Sequence, residues 1–207
     1  MIFLASRSPR RRELLAQLGL AFDVLDVEVE EQRRTDESPG AYVARVARDK
    51  ARAGWDLVSG LPGSIVLGAD TEVVLDDAVF GKPEDAADAM RMLRELSGQA
   101  HAVISSVCCR SASGGESADC VSTVTLDVLD RRTIERYVAS GEPFGKSGAY
   151  AIQGRAAAFI TRLEGSYSGV VGLPLHETAR LLRRAGLEPL AAPAVTGAFD
   201  KDAAGKL

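Results

Sequence analysis

The sequence predicts a mixed α/β fold in which helices flank a mixed β-sheet. Short continuous apolar runs, such as residues 2–5 and 65–69, are typical of strands buried on both faces of a sheet. Amphipathic segments opened by Ser-Pro or Pro lie between such runs and predict helices. Strands and helices are interspersed without a regular βαβ alternation, which favours a mixed sheet over a doubly wound one. A chain of 207 residues is long enough for one domain or two closely packed lobes.

The first helix is predicted over residues 9–18, directly after the first apolar run. Ser8 is a suitable N-cap, Pro9 suits the first helical position, and Gly19 ends the helix. The other elements predicted before residue 100 are a strand over 22–29, a helix opened by Ser38-Pro39, a strand over 65–69, a hairpin of 73–75 with 78–80, and a helix from Pro83 to Gly98.

Two β-branched runs in the second half, over residues 101–109 and 121–129, predict a long hairpin joined by a Ser/Gly-rich loop. Asp130 is suited to cap a following helix that stops at Gly141. The chain after Glu188 is rich in Ala, Pro and Gly and predicts a loose tail. The other elements predicted here are strands over 149–153 and 158–163 and a last helix that begins at Pro174 and ends near Gly186.

The composition is that of a soluble globular protein without general affinity for nucleic acid. Hydrophobic residues make up 46% and charged residues 26%, and the formal net charge of −4 gives no overall basic field. The cysteines (Cys108, Cys109 and Cys120) have no metal-ligand spacing, and such a sparse, odd set indicates a reducing cytoplasm. Two histidines are too few for a His-based metal site or triad. No apolar run approaches a membrane span, so we expect a cytoplasmic protein with no membrane partner.

Residues 6–12 read Ser-Arg-Ser-Pro-Arg-Arg-Arg and place three arginines in the first turn of a helix. Backbone N–H groups concentrate positive charge there, so a cation is unfavourable by roughly 0.3–1 kcal/mol. An anion bound on the turn would remove this conflict, because N–H groups and guanidinium groups converge on it. A solvated charge run is the commoner interpretation of a basic stretch. The junction of strand and helix favours a phosphate site instead.

Lys50 and Asp70 each have two interpretations. Lys50 falls on the apolar face of the second helix with Tyr42 and Val46. Its ammonium group either extends past the apolar edge to solvent, which is the commoner case, or reaches inward to an anion. Asp70 ends the apolar run 65–69, where a carboxylate either caps a turn, again the commoner case, or belongs to a ligand site at the end of a buried strand.

Three further segments carry chemistry that the sequence leaves open. Gly81-Lys82-Pro83 is not a Walker loop, because that pattern occurs nowhere in the chain. Gln153, in the glycine-bracketed segment 145–154, has an amide that either donates to and accepts from a base edge or holds a neighbouring loop. The glycine-rich turn 166–174 either approaches a phosphate or simply connects two elements.

Six short motifs occur in order along the chain: Ser6-x-Ser8-Pro9-Arg10-Arg11, Arg45-x-Ala47-x-x-Lys50-Ala51, Gly68-Ala69-Asp70-Thr71, Gly81-Lys82-Pro83, Gly148-Ala149-Tyr150-x-Ile152-Gln153-Gly154 and Gly172-Leu173-Pro174. Together they resemble the Maf proteins, nucleoside triphosphate pyrophosphatases named for a link to septum formation in bacteria. The resemblance implies a two-lobed mixed α/β fold with a central cleft, related in shape to the inosine triphosphate pyrophosphatases. It covers a single catalytic domain over residues 1–187 and leaves a flexible tail over 188–207.

The resemblance also implies hydrolysis between the α- and β-phosphates, giving a nucleoside monophosphate and pyrophosphate. The Ala-Asp-Thr sequence around Asp70 is similar to the branch that prefers dTTP and UTP, with modified pyrimidine nucleotides as further candidate substrates. Asp70 matches the family's proton acceptor. The phosphate-cleft residues of the family match Ser6, Arg10, Arg11, Lys50 and Lys82, and the positions tied to nucleotide choice match Arg10, Thr71 and Gln153.

A triphosphate carries about four negative charges, so we expect a divalent cation, Mg²⁺ or Mn²⁺, to bridge its oxygens to Asp70. Glu31 is either a further metal ligand or a solvated turn residue. The chain departs from the family pattern at Gly145, where the family usually has Asp, and at Glu72, where it tends to have an apolar residue. Glu72 either adds a carboxylate to the cleft or points to solvent, and we predict the latter. The resemblance further implies a homodimer.

Two other functions are compatible with the same residues. One is a non-catalytic protein that binds nucleotides or nucleic acid to regulate cell division, although aromatic residues, at 5%, are too few for a stacking series on bases. The other is hydrolysis of a different phosphoanhydride, such as a nucleotide sugar or a dinucleotide. Arg12 lies beyond the first motif and is predicted to be solvated.

Overall fold

A mixed seven-stranded sheet organises residues 1–190, the part of the chain that this computed structural model describes. The tail predicted over 188–207 lies outside the described residues from position 191 onward. The strands are β1 (Ile2–Ala5), β2 (Phe22–Leu25), β3 (Ile65–Leu75), β4 (Ala78–Phe80), β5 (Ala100–Ser111), β6 (Gly114–Leu126) and β7 (Ile160–Glu164). Their order is β2-β1-β3-β5-β6-β7, with β4 on β3. Because β1 runs parallel to β2 and β3 and the other pairs are antiparallel, the predicted mixed sheet is confirmed.

Within residues 1–190 six α-helices pack on the sheet. The caps predicted at Ser8 and Asp130 are confirmed, since each side chain accepts a hydrogen bond from the backbone N–H three residues further on. No helix in this part of the chain is long and apolar enough to cross a membrane. The helices are α1 (Pro9–Ala16), α2 (Pro39–Val58), α3 (Ala86–Leu96), α4 (Arg131–Ala139), α5 (Tyr167–Val171) and α6 (Leu175–Arg184), and 3₁₀ turns occupy Ser147–Ala149 and Arg155–Phe159.

Strand β3 is longer than predicted, and this changes the setting of Asp70. The strand continues through residue 75, and Asp70 pairs with Ser106 in its middle, so the prediction that Asp70 lies at a strand end is wrong. Polar residues 70–72 interrupt the apolar run, but β5 supplies their backbone partners. The prediction of a Ser/Gly-rich loop between the two hairpin strands is likewise wrong, since β5 and β6 pair up to Ser111 and Gly114. Strand β2 ends at Leu25 rather than at residue 29.

Two other elements differ from the prediction for local reasons. The apolar segment 149–153 is not a strand, because Gly148 and Ala149 both adopt positive φ and end a 3₁₀ turn there. Helix α3 begins at Ala86 rather than at Pro83. Its N-cap is Asp85, whose carboxylate accepts the N–H of Asp88 at 2.8 Å, so the first turn forms three residues later than the proline suggests.

The two largest of the four hydrophobic clusters in the described residues share the long central strands. One packs β1, α1 and α6 around Leu4, Leu67 and Leu182. The other packs α3 and α4 against the far halves of β3, β5 and β6, around Leu93 and Val124. The division into two lobes stays a prediction, which these separate cores support.

Gly68 fixes how closely helix α2 lies against strand β3. A Cβ at this position would lie 2.4 Å from both the carbonyl oxygen of Ala47 and the backbone nitrogen of Ala51. Helix and strand are therefore in backbone contact at the point where α2 carries Lys50 and β3 carries Asp70. This contact brings the two side chains together.

Candidate active site

A cleft of about 680 Å³ opens between the start of α1, the middle of β3 and the loop 145–153. Six basic and four acidic residues line it, whereas the chain as a whole is acidic. The structure brings all nine of the site residues predicted from the sequence to this cleft: Ser6, Arg10, Arg11, Glu31, Lys50, Asp70, Thr71, Lys82 and Gln153. Arg12 is exposed outside it, as predicted.

Lys50 lies at the centre of an alternating chain of charges. Its ammonium group donates to Asp70 Oδ1 at 2.9 Å and lies 2.6 Å from Glu31 Oε1. Lys82 binds the other oxygen of Glu31 at 3.2 Å. Lys50 therefore reaches inward rather than to solvent, and Glu31 is not simply a solvated turn residue. Partial burial alone would raise the pKa of Glu31, but the hydrogen bond and charge of Lys50, together with Lys82, lower it to about 2.

Arg11 binds the protein, whereas Arg10 remains available to a ligand. The guanidinium of Arg11 donates to the carbonyl of Gly172 at 2.8 Å and, at 3.5 Å, to the hydroxyls of Ser6 and Thr71. Arg10 lines the cleft and makes no hydrogen bond to the described residues. Burial, followed by the charge of Arg11, lowers the pKa of Arg10. The unfavourable concentration of positive charge that the sequence predicted in the first turn of α1 is thus present in the folded chain.

The Thr71 hydroxyl joins this arginine to the sheet. It lies 2.8 Å from the hydroxyl of Ser105, which donates to the carbonyl of Gly169 at 2.6 Å. Sequence analysis missed Ser105, because a serine in a β-branched run carries no signal of its own. The fully buried Ser105 thus links β5 to helix α5, which is followed directly by Gly172, the residue that Arg11 contacts.

Glu72 contradicts the prediction that it points to solvent. It is 8% exposed and lines the cleft, two residues from Asp70 on the same face of β3. Burial, followed by the charge of Asp70, raises its pKa to about 8, against the opposing effects of Ser147 and Lys82. The apolar character that the family tends to have at this position indicates an inward-facing position and could have identified it.

The loop that carries Glu31 is held by a buried ion pair between Glu37, in that loop, and Arg45 on α2. Arg45 binds Glu37 through two nitrogens, at 2.7 and 2.9 Å, and donates to the carbonyl of Gln32 at 2.8 Å. Both charged side chains are nearly nine-tenths buried. Tyr42 adds a hydrogen bond from its hydroxyl to the carbonyl of Glu31 itself. The second helix thus positions Glu31 as well as Lys50.

Replacing Glu37 with Gln should destabilise the protein in a pH-dependent way. The hydrogen bond from Arg45 lowers the pKa of Glu37 to about 2, so the carboxylate contributes stability above its ordinary pKa and loses that contribution as the pH falls towards 2. We expect Glu37→Gln to lower the free energy of unfolding by about 1 kcal/mol at pH 7. Urea titrations of both proteins between pH 7 and pH 3 should show this gap closing.

The matched control is Glu135→Gln, which removes an exposed partner of Arg131 in α4. That variant should unfold like the wild type throughout the range, because exposed pairs contribute little. A gap for Glu37→Gln that stays constant with pH would contradict an electrostatic origin.

The loop 145–153 is ordered without the aspartate that the family usually has at position 145. Gly145 adopts a φ of +72°, and nothing lies within 4 Å of a Cβ built there. Glu142 ties together the two ends of the chain that flank this loop, because its carboxylate accepts hydrogen bonds from the N–H groups of Arg155 and Ala156. Lys146, which sequence analysis missed, brings a further cation to the cleft. Gln153 is exposed at the cleft wall and free to contact a ligand.

The fold and this cleft define a class of protein that binds a polyphosphate, since cations surround a small set of inward carboxylates. The family model described as "Maf-like protein" matches residues 1–185. The chain therefore belongs to the Maf family.

Curated relatives agree with this assignment. The "dTTP/UTP pyrophosphatase" of Xanthomonas euvesicatoria pv. vesicatoria is 55% identical over 90% of this chain and 99% of its own length. The protein of that name from Chromobacterium violaceum is 51% identical over 90% and 96%. The "Nucleoside triphosphate pyrophosphatase" of Xylella fastidiosa strain M23 is 54% identical over 88% and 97%.

Among solved structures, the Staphylococcus aureus Ham1 protein aligns with a TM-score of 0.41 at 10% identity, over 60% of this chain and 71% of its own.

Proposed function

We propose that this protein is a nucleoside triphosphate pyrophosphatase that hydrolyses dTTP and UTP to the monophosphate and pyrophosphate. The observation that carries the proposal is Asp70, a buried carboxylate with one oxygen held by Lys50 and the other without a partner in the described residues, at the base of a cationic cleft. The names of the curated relatives support the same reaction and substrates.

The basic side chains of the cleft would contribute to triphosphate binding in different ways. Arg10 has no other partner in the described part of the chain and can direct its guanidinium fork at phosphate oxygens. Lys82 is exposed and can leave Glu31 for a phosphate at little cost. Arg11 and Ser6 shape the turn, whose N–H groups face the same anion. Each phosphate contact would thus either replace an existing ion pair, as at Lys82, or use a hydrogen-bond donor without a partner in the described residues, as at Arg10.

Asp70 is the group best placed to accept a proton from the attacking water. Lys50 fixes the carboxylate through Oδ1, so Oδ2 is held in a defined position on a residue that lines the cleft. A hydrogen-bond acceptor that is buried and unpartnered is costly, and a water molecule donating to it would remove that cost. That water molecule is the nucleophile, and at Asp70 it would lie beside the phosphates that the arginines and lysines bind.

The residues present fit a divalent cation, Mg²⁺ or Mn²⁺. Within residues 1–190 no group of three or more His, Cys, Asp or Glu residues is arranged as a metal site. Mg²⁺ commonly uses only one or two carboxylates and completes its shell with water and substrate phosphates. Asp70 would provide such a carboxylate ligand through Oδ2. Glu31 would be available as a second ligand once phosphates drew Lys50 and Lys82 away from it. Such a cation neutralises phosphate charge and acidifies bound water.

Arg10, Thr71 and Gln153 are proposed to set nucleotide choice. Replacing Arg10 with Ala should raise the KM for dTTP about 10- to 100-fold, because a charge-assisted hydrogen bond is worth about 1.5–3 kcal/mol. It should also change the ratio of kcat/KM between dTTP, UTP and purine nucleotides. Steady-state kinetics on each nucleotide measure both effects. Arg12→Ala is the matched control, since Arg12 is on the same helix but outside the cleft; equal losses for every nucleotide with Arg10→Ala would limit Arg10 to phosphate binding.

Product analysis tests the proposed reaction. The purified protein is incubated with Mg²⁺ or Mn²⁺ and a panel of normal and modified nucleotides, and the products are identified by chromatography and ³¹P NMR. Monophosphate and pyrophosphate from dTTP and UTP are expected. Release of orthophosphate would contradict the cleavage site. Binding without turnover would favour a nucleotide-binding regulator, and turnover of nucleotide sugars alone would favour another phosphoanhydride substrate.

We further propose that the protein works in the cytoplasm as a homodimer, as the family resemblance implies. The cysteines that the sequence assigned to a reducing compartment are all free, and Cys108 and Cys109 are buried. Sedimentation equilibrium of the full chain tests the oligomeric state.

A further inference from the structure

The carboxylates of the cleft differ in what their oxygens contact. Glu31 has both oxygens on cations, Oε1 on Lys50 and Oε2 on Lys82. Asp70 has only Oδ1 on Lys50, and its Oδ2 is buried without a partner in the described residues. Glu72 has a buried Oε2 in the same condition. The two unpartnered oxygens therefore belong to Asp70 and Glu72, not to Glu31.

Strand geometry places Asp70 and Glu72 on the same face of β3. Residues two apart on a strand project from the same face, and β3 is regular at both positions, with Asp70 opposite Ser106 and Glu72 opposite Ile104. Both residues are more than nine-tenths buried and line the cleft. Neighbouring buried carboxylates repel each other, and each unpartnered oxygen adds a desolvation cost. A divalent cation bound between them would relieve both effects.

We propose that Asp70 and Glu72 together form a divalent-cation site that is poised before the nucleotide binds, and that Glu31 does not take part in it. This inference rests on the proposed metal-dependent function and adds to it a ligand that the family motif does not contain. Hard cations such as Mn²⁺ and Mg²⁺ take carboxylate oxygens and fill the rest of their shell with water. The lysine pair meanwhile keeps Glu31 neutralised until phosphates arrive.

The test is titration of the nucleotide-free protein with MnCl₂, followed by electron paramagnetic resonance of free Mn²⁺ and by calorimetry. Wild type should bind one Mn²⁺ per chain at the cleft. Glu72→Gln should weaken that binding at least 10-fold, whereas Glu31→Gln should change it less than about 3-fold. The matched control is Glu177→Gln in α6, which neutralises a carboxylate whose Oε2 is also buried without a partner in the described residues but which lies outside the cleft; this variant should bind like the wild type.

A second measurement covers the case in which Glu72→Gln folds poorly. In wild type, Mn²⁺ alone should raise the unfolding temperature, and Glu31→Gln should retain this increase. Mn²⁺ binding by Glu72→Gln that equals wild type, or no Mn²⁺ binding by wild type without nucleotide, would overturn the inference. Neither result would contradict the proposed function, because pyrophosphate release from dTTP is measured separately. Conversely, Glu72-dependent Mn²⁺ binding in a protein that releases no pyrophosphate would leave the cation site standing and refute the proposed function alone.

Discussion

Asp70→Asn should lower the rate of pyrophosphate release from dTTP about 10³-fold or more while leaving the fold intact. The amide keeps the shape of the carboxylate but cannot accept a proton from water, and general-base contributions are typically 10²- to 10⁴-fold. Stability should change little, because Lys50 keeps its 2.6 Å contact with Glu31 after the carboxylate is lost. Single-turnover assays with dTTP measure the rate, and urea unfolding measures the stability.

The control for this variant is Asp23→Asn on the exposed face of edge strand β2. It should retain wild-type turnover, since it makes the same chemical change far from the cleft. Retained turnover in Asp70→Asn would remove Asp70 from the role of proton acceptor. A loss of turnover accompanied by an equal loss of dTTP binding would instead assign Asp70 to substrate binding.

Gly68→Ala should cause a large loss of stability, because it adds a methyl group where helix α2 and strand β3 are in backbone contact. The new Cβ would lie 2.4 Å from backbone atoms of α2, which cannot rotate away as a flexible side chain would. Overpacking of this kind costs about 1–3 kcal/mol and sometimes more, so we expect a loss near 3 kcal/mol. For a protein of this size that corresponds to a fall in unfolding temperature of about 6–12 °C.

The same substitution should also impair catalysis, because α2 must move outward with Lys50. We expect kcat to fall more than the KM for dTTP rises, since the displaced lysine no longer fixes Asp70. Gly40→Ala is the matched control: it lies in the same helix, and nothing is within 4 Å of its added Cβ. Wild-type stability in Gly68→Ala would show that helix and strand can separate at no cost, and would contradict the tight contact.

Local signals in the sequence were sufficient for the elements that have strong caps and periodicity. Ser8 and Asp130 start α1 and α4 as predicted, because capping depends only on residues three apart. The signals failed where long-range pairing decides the structure. Strand β3 extends past Asp70 because β5 pairs with it, and the positive φ values at Gly148 and Ala149 turn an apolar run into a loop. Neither cause is visible within a short window of sequence.

The amino-acid sequence by itself determined the mixed α/β class, the family and the identity of nine residues that converge on one cleft. These follow from local periodicity and from ordered motifs, which do not depend on exact distances. Only the tertiary structure decided the pairing of charges: Lys50 between Glu31 and Asp70, Arg11 on Gly172, and Glu72 inside the cleft. Burial and ion pairing depend on how α2 and the loops pack across β3, so they emerge only when segments distant in sequence meet.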